Sequence, residues 1–283
     1  MTDVYGIMGH PVGHSRSPAM HNRAFQVLGM DAVYVPFSVT PERLETALRG
    51  ARALDLRGMN ITLPHKTNIM SLLDTVDPDA RAIGAVNTVV RDGASLRGTN
   101  TDAEGLSRAL AEAGVALAGI RACVLGAGGA ARACLVGLAR AGAKHITIAA
   151  RRGAEAAALV AELGPLARPA ELSACSLPSE ALTAAFARSE LVVQASSATL
   201  EGREGADAFA QALPLSSLPA DAAVVDIVYQ PLETSVLRAA RGLGLNRLDG
   251  LGMLLHQAAI SFELWTGRKA PVSDMRSALL EHR

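Results

Sequence analysis

Two residues of opposite charge are the first candidates for proton chemistry. Lysine is scarce in this chain. Only Lys66, Lys144 and Lys269 occur among 27 basic residues, the rest being arginine. A lysine in a tuned environment can release its proton near neutral pH, which an arginine effectively cannot. Lys144 and Lys269 fall in polar turns and read as exposed charges. Lys66 instead closes the segment GMNITLPHK (Gly58 to Lys66). Three further segments are as dense in small polar groups: GHPVGHSRSPAMHN (Gly9 to Asn22), GAVNT (Gly84 to Thr88) and GTNTD (Gly98 to Asp102). Together they offer Ser15, Ser17, Asn60, Thr62, Lys66, Asn87, Thr101 and Asp102. Ser, Thr, Asn and Asp also favour turns and caps, so the recurrence over four segments carries the reading. Hydroxyls and amides both donate and accept hydrogen bonds, so this set suits a polyhydroxylated small molecule. Lys66 hydrogen-bonded to Asp102 can give or take a proton while the pair stays close to neutral overall. His10, His14 and His21 do not form a metal set, because Pro11 and Gly13 break a helical spacing and no acid lies between them. No metal is expected.

A second motif points to a nucleotide. VLGAGGAARA (Val124 to Ala133) gives Gly126-x-Gly128-x-x-Ala131 between a predicted strand and a predicted helix. That is the setting a dinucleotide fingerprint requires. Gly126 permits the tight turn, Gly128 lets a pyrophosphate approach the backbone, and Ala131 lets the helix pack close. The phosphates then meet free N–H groups at a helix N-terminus. An NAD site wants an acid about 20 residues further on, but the next strand ends Ala149-Ala150-Arg151-Arg152, with no acid before Glu155. Two guanidiniums there suit a 2′-phosphate, so the expected cofactor is NADP, which implies hydride transfer.

The elements that must position these groups alternate between strand and helix. Strands are predicted at Val4 to Met8, Ala32 to Val39 (with Val33, Val35 and Phe37 on one face), Arg57 to Thr62 and Ala85 to Val90. Ser17-Pro18 reads as an N-cap with proline at the first helical position of a helix running to about Gly29. Thr40-Pro41-Glu42 opens another helix. Further strands are predicted at Arg121 to Leu125, His145 to Ala150, and near Leu191 to Ala195, Ala223 to Val228 and Leu245 to Leu248, with helices at Arg132 to Ala141 and Met253 to Trp265. Strands spaced by helix-length segments imply parallel sheet. Three of the four polar segments lie at or just after the carboxyl end of a predicted strand, where open α/β sheets bind ligands.

Composition excludes several classes. The chain has 283 residues, 49% apolar and 19% charged, which suits a globular protein of two domains. Basic and acidic residues balance at 27 each, so no net field draws it to nucleic acid, and 3% aromatic residues leave little for base stacking. Cys123, Cys134 and Cys175 form no C-x-x-C pair, which fits free thiols in a reducing compartment. The N-terminal residues do not read as a signal peptide, and the apolar region Gly119 to Gly142 is interrupted by Arg121, Arg132 and Arg140. A cytoplasmic protein without membrane or nucleic-acid partners is expected, and a homodimer is compatible with the sequence.

HSRSPAMHN, NITLPHK, GAVNT, GTNTD, GAGGAARA, DIVYQPLETSVL and GLGMLLHQAAISFELWTG occur in this order, nearly end to end. In this combination the chain resembles the shikimate dehydrogenases. The resemblance implies NADP-linked reduction of 3-dehydroshikimate to shikimate, on the route to chorismate and the aromatic amino acids. It implies an α/β substrate-binding domain over 1–102 and 238–283, and a Rossmann-type doubly wound parallel-sheet NADP domain over 103–237, with the active site in the cleft between them. By the resemblance, Ser15 and Ser17 hold the substrate carboxylate. Asn60, Asn87, Asp102 and Gln257 hold ring hydroxyls, with Thr62 and Tyr229 nearby. Lys66 is the acid/base group, partnered by Asp102. Gly126, Ala127, Gly128, Gly129 and Ala130 take the pyrophosphate, Arg151 with Arg152 beside it takes the 2′-phosphate, and Tyr229 and Gly250 flank the nicotinamide. The chain departs from the family pattern where Asn-Arg-Thr is usual and it has Ala150-Arg151-Arg152, and again at Gln194 to Leu200 (QASSATL). A quinate/shikimate dehydrogenase with looser substrate choice or NAD use is the near alternative. A catalytically silent NADP-binding sensor is the alternative from another class, against which the presence of both Lys66 and Asp102 argues.

Overall fold

The computed structural model describes residues 1–281. It forms two compact units: Met1–Gly105 together with the chain from Leu254 onward, and Leu106–Met253. In chain order the first unit begins β1 (Asp3–Gly9), α1 (Ser17–Val27), β2 (Ala32–Ser38), α2 (Leu44–Ala53), β3 (Gly58–Ile61), β4 (Thr75–Val76), α3 (Pro78–Ile83), β5 (Thr88–Asp92) and β6 (Ser95–Thr99), and the chain passes into the second unit within α4 (Asp102–Glu112). The second unit runs β7 (Arg121–Leu125), α5 (Gly129–Arg140), β8 (His145–Ala150), α6 (Gly153–Ala167), β9 (Glu171–Ser176), α7 (Glu180–Phe186), β10 (Leu191–Gln194), α8 (Ala206–Gln211), β11 (Ala223–Asp226), α9 (Ser235–Gly242) and β12 (Asn246–Leu248). Helices α10 (Leu251–Thr266) and α11 (Val272–Glu281) complete the described chain.

The sheet of the first unit has the order β2-β1-β3-β5-β6-β4. It is mixed rather than wholly parallel. β1 runs parallel to β2 and β3, whereas β5 is antiparallel to both β3 and β6. The cause is local. Asp92 pairs with Ser95 across a two-residue loop, Gly93-Ala94, and Gly93 takes the positive φ (58°) that such a hairpin turn requires. The reversal has a consequence for the site. Ile7, Asn60, Thr88 and Thr99 lie in register across four strands. The start of β5 therefore falls on the same sheet edge as the ends of β1, β3 and β6, and all four polar segments converge there.

Helix α10 covers this sheet with an aromatic cluster. Trp265 Nε1 donates to the Val89 carbonyl at 2.9 Å, and its indole lies so close over β3 that a Cβ on Gly58 would sit 2.4 Å from the ring. Tyr5, Phe25, Phe262 and His21 complete the cluster, with Tyr5–Phe25 and Tyr5–Trp265 centroids 5.0 and 5.5 Å apart. Such pairs contribute about 0.5–1.5 kcal/mol each beyond the area they bury. On β2, Tyr34 is the buried residue, while Val33, Val35 and Phe37 on the predicted face are only half-buried. The Ser17 cap is also corrected. Arg16 occupies the N-cap without a side-chain bond, and Ser17 is the first helical residue. The helix predicted from Thr40 begins as a single 3₁₀ turn, Pro41–Arg43, before α2.

In the second unit the order is β12-β11-β10-β7-β8-β9, with every pairing parallel. This is the doubly wound order, reversing between β7 and β10. β9 has no counterpart in the sequence reading, because ELSACS offers one buried residue in a half-exposed edge strand. The predicted return to the first domain at residue 238 is moved to Leu254. β12 hydrogen-bonds to β11, so α9 and β12 finish the second sheet first. The predicted cut after Asp102 falls instead at Gly105, within the first turns of α4.

Candidate active site and nucleotide-binding turn

At the polar edge of the first unit the side chains form one connected network. Lys66 Nζ donates to Asp102 Oδ2 at 2.6 Å, and Asn87 Nδ2 donates to Asp102 Oδ1 at 2.7 Å. Asp102 is 4% exposed, so its charge faces these two partners more than water. Backbone geometry places both ends of the pair. The Val86 N–H donates to the Lys66 carbonyl at 2.8 Å, and the Asp102 N–H donates to Asn100 Oδ1 at 3.0 Å, which caps the start of α4. Asn87 is fixed in turn. Its Oδ1 accepts from the Thr101 N–H at 2.8 Å and from the Thr88 hydroxyl at 3.0 Å, and its Nδ2 also reaches Thr101 Oγ1 at 2.9 Å. Gln257 Oε1 lies 3.5 Å from the same Nδ2. Its helix can come this close because Gly105 has no side chain; a Cβ there would lie 2.8 Å from Gln257 Cβ.

Asn60 occupies the layer behind. Its Nδ2 donates to the Asn87 carbonyl (3.2 Å), Thr88 Oγ1 (3.2 Å) and Ser261 Oγ (3.0 Å), while its Oδ1 accepts from Tyr34 OH at 2.7 Å. Its hydrogen bonds thus run into the protein, tying β3 to β2, β5 and α10. Ser15 and Ser17 stand together before and at the start of α1, where the Ser17 N–H donates to Ser15 Oγ at 3.3 Å. Thr62 follows β3 beside the end of β1; a Cβ on Gly9 would meet its Cγ2 at 2.3 Å. The arrangement therefore brings together the side chains of Lys66, Asn87, Thr101, Asp102 and Gln257 directly, and Asn60 through the Asn87 carbonyl, Thr88 and Ser261. Tyr229 and Gly250 belong to the second unit.

Sequence reasoning misses Tyr34 and Ser261, since they sit in a strand and a helix whose patterns read as core. Thr88 is visible only as the last residue of GAVNT. His21, in the same region, is fully buried with neither ring nitrogen hydrogen-bonded, and it stacks on Tyr34 at 4.3 Å and 15°. Burial pushes its pKa down to about 3, so it is a neutral packing group.

In the second unit the glycine turn has the geometry its sequence demands. Gly126 adopts φ 125°, and its N–H donates to the Ala149 carbonyl at 2.8 Å. Gly128 is the extended N-cap of α5, and a Cβ there would meet nothing within 4 Å, so the space before the helix is open to a ligand. The N–H groups of the first turn lack partners within the helix. A cavity of about 740 Å³ adjoins the turn, lined by Gly126 and Ala127, by Arg151, Arg152 and Glu155 after β8, and by Ser196 to Ala198 and Arg203 after β10. Arg152 is ion-paired with Glu155, whereas no ion pair is formed by Arg151 among the described residues. These residues fit a dinucleotide carrying an extra phosphate. Gly250 is buried against the end of β11, where a Cβ would lie 2.3 Å from the Ile227 carbonyl oxygen.

The atypical Gln194–Leu200 segment is a latch. Gln194 Nε2 donates to the Ser196 carbonyl and to Thr199 Oγ1, both at 2.9 Å, and its Oε1 accepts from Ser196 N–H and Oγ–H, both at 2.8 Å. Asp226 at the end of β11 accepts from the Thr234 hydroxyl (2.7 Å) and the Val228 N–H (3.0 Å). Burial raises its pKa to about 6 against the opposing pull of these bonds and of Thr199 and Gln194. Burial likewise pushes the Cys123 thiol up, and Cys123, Cys134 and Cys175 are all free and buried.

A doubly wound sheet with an open glycine turn, in one chain with an α/β unit that sets a Lys–Asp pair among amides and hydroxyls, defines a nucleotide-dependent α/β oxidoreductase. Comparison with known proteins narrows the class. The shikimate dehydrogenase substrate binding domain matches residues 7–89, and the shikimate 5′-dehydrogenase C-terminal domain matches residues 250–280. A shikimate dehydrogenase (NADP(+)) of Symbiobacterium thermophilum is 46% identical over 98% of this chain and 93% of its own. The crystal structure of shikimate 5-dehydrogenase from Thermus thermophilus with NADP(H) and shikimate superposes with a TM-score of 0.86 at 37% identity, covering 100% of both chains. Quinate dehydrogenase from Corynebacterium glutamicum in complex with NAD gives a TM-score of 0.87 at 33% identity, covering 99% of both. The chain belongs to the shikimate dehydrogenase family.

Proposed function

We propose that this protein interconverts 3-dehydroshikimate and shikimate with NADP as cofactor, in the synthesis of chorismate and the aromatic amino acids. The observation that carries the reading is the 2.6 Å Lys66–Asp102 bond set within the Asn87–Thr101–Gln257 network. Bound NADPH supplies hydride. The chain must supply a proton to the ketone oxygen, since otherwise an alkoxide is left. Lys66 is the donor in the reducing direction and the acceptor in reverse, with Asp102 holding it and compensating its charge. Asn87, Asp102, Gln257 and Thr62 serve the ring hydroxyls, and Asn60 supports them from behind. Ser15 and Ser17 present two hydroxyls and a helix start to the carboxylate. Tyr229 and Gly250 serve the nicotinamide side, Gly126 to Ala130 the pyrophosphate, and Arg151 the 2′-phosphate, with Arg152 beside it paired to Glu155.

The near alternative is the substrate and cofactor pairing of the quinate dehydrogenase in complex with NAD to which the chain is similar. Initial rates with shikimate and quinate, each against NADP and NAD, test it. The reading requires shikimate with NADP to give the highest kcat/KM. Higher values for quinate or for NAD would place the protein with the looser relatives. Among the described residues no helix is long and apolar enough to cross a membrane, and a cytoplasmic location is part of the proposal.

A further inference from the structure

The cavity beside the glycine turn contains a third arginine that the fingerprint does not anticipate. Arg203 lies in the turn after β10, outside the strand–turn–helix motif and away from the end of β8 where cofactor choice is usually set. β8 and β10 are the two strands that flank β7 in the sheet. Arg151 and Arg203 therefore reach one cavity from the two strands on either side of the strand that carries the glycine turn.

Three observations bear on what Arg203 does there. First, the turn that carries it is anchored. The Arg203 N–H donates to the Leu200 carbonyl at 3.0 Å, the Glu201 N–H to the Gln230 carbonyl at 3.0 Å, and Gln230 Nε2 to Glu201 Oε2 at 2.8 Å. Gln194 and Thr199 fix the preceding residues from below. Second, the charges divide unevenly. Glu155 is taken by Arg152, and no ion pair is formed by Arg151 or Arg203 among the described residues, which leaves two guanidiniums and Glu204 facing the cavity. Third, much of the remaining wall is apolar: Pro178, Phe209 and Leu213. An anion attached to a flat, weakly polar ring fits such a lining, with the anion at the arginines and the ring against the carbon-rich side.

We propose that Arg203 is a specificity-determining residue of the cofactor site, closing on the 2′-phosphate from the β10 side as Arg151 does from the β8 side. This deepens the NADP reading and rests on it. The Gln194–Leu200 latch thereby acquires a purpose, since it holds in place the turn that presents Arg203. It also accounts for a clamp that works while Arg152 is engaged by Glu155.

The test is equilibrium binding, read from nicotinamide fluorescence for NADPH and NADH and from competition by adenosine 2′,5′-bisphosphate and adenosine 5′-monophosphate. Arg203→Ala should weaken NADPH and the bisphosphate by roughly ten-fold, the scale of one charge-assisted bond at a partly exposed site. NADH and the monophosphate should change by less than about two-fold, as expected when a lost bond involves the 2′-phosphate alone. Arg203→Lys should restore part of the loss, and Arg203→Glu should exceed it. Unchanged NADPH affinity in Arg203→Ala, or an equal loss for NADPH and NADH, would overturn the proposal. A wild-type protein that binds NADH as tightly as NADPH would overturn the NADP reading itself, before any variant is compared.

Discussion

Lys66 and Asp102 are joined by a 2.6 Å hydrogen bond, and the far oxygen of the same carboxylate is held by Asn87 at 2.7 Å. The lysine thus has one fixed partner, and that partner is itself oriented by a buried amide. Lys66→Ala should lower kcat at least ~10²-fold, the scale of one general acid/base group, while KM moves little. Initial-rate assays over a range of substrate concentrations check this. An unchanged kcat would remove Lys66 from the chemistry.

Arg151 is exposed and Arg152 is committed to Glu155. Arg151→Ala should therefore raise KM for NADPH more than KM for NADH. Equal increases for both cofactors would place the phosphate clamp elsewhere.

Gly128 and Gly250 make a matched pair, because one faces open space and the other a carbonyl. A Cβ at Gly250 would lie 2.3 Å from the Ile227 oxygen, so Gly250→Ala should destabilise the fold by about 1–3 kcal/mol, the usual cost of overpacking. A Cβ at Gly128 meets nothing within 4 Å, so Gly128→Ala should leave the melting temperature nearly unchanged but weaken NADPH. Thermal melts with and without NADPH distinguish the two. A destabilised Gly128→Ala variant with normal cofactor affinity would contradict the assignment of that space to the pyrophosphate.

Asp226 gives a pH signature. Its pKa is raised from 3.8 to about 6 in the folded protein. Below about pH 4 both folded and unfolded forms are protonated. Between about pH 4 and pH 6 the unfolded chain loses this proton first, so stability falls as pH rises; above that it is level. The loss is at most about 3 kcal/mol, the worth of two pKa units. Denaturation of wild type and Asp226→Asn across this range should show the difference growing from pH 4 to pH 6. A constant difference would show that burial does not raise this carboxyl.

Much of the site was legible because its residues cluster in four short segments with little apolar content. The glycine turn was equally clear, since Gly126 needs its positive φ and Gly128 its open face. What the sequence hid has physical causes. The β5–β6 hairpin was obscured because Gly93-Ala94 is a short turn between strands that each show few alternating apolar residues. Ser261 is concealed within the apolar periodicity of α10, and Tyr34 within a strand, although both bond to Asn60. The boundary at Met253 follows from the pairing of β12 with β11, a three-residue strand whose partner lies some twenty residues earlier in the chain.

The most direct measurement follows reduced nicotinamide absorbance while purified protein is mixed with 3-dehydroshikimate and NADPH. The signal should fall, it should fall far more slowly with NADH, and shikimate should accumulate in equal amount. A flat trace with both reduced cofactors would contradict the account.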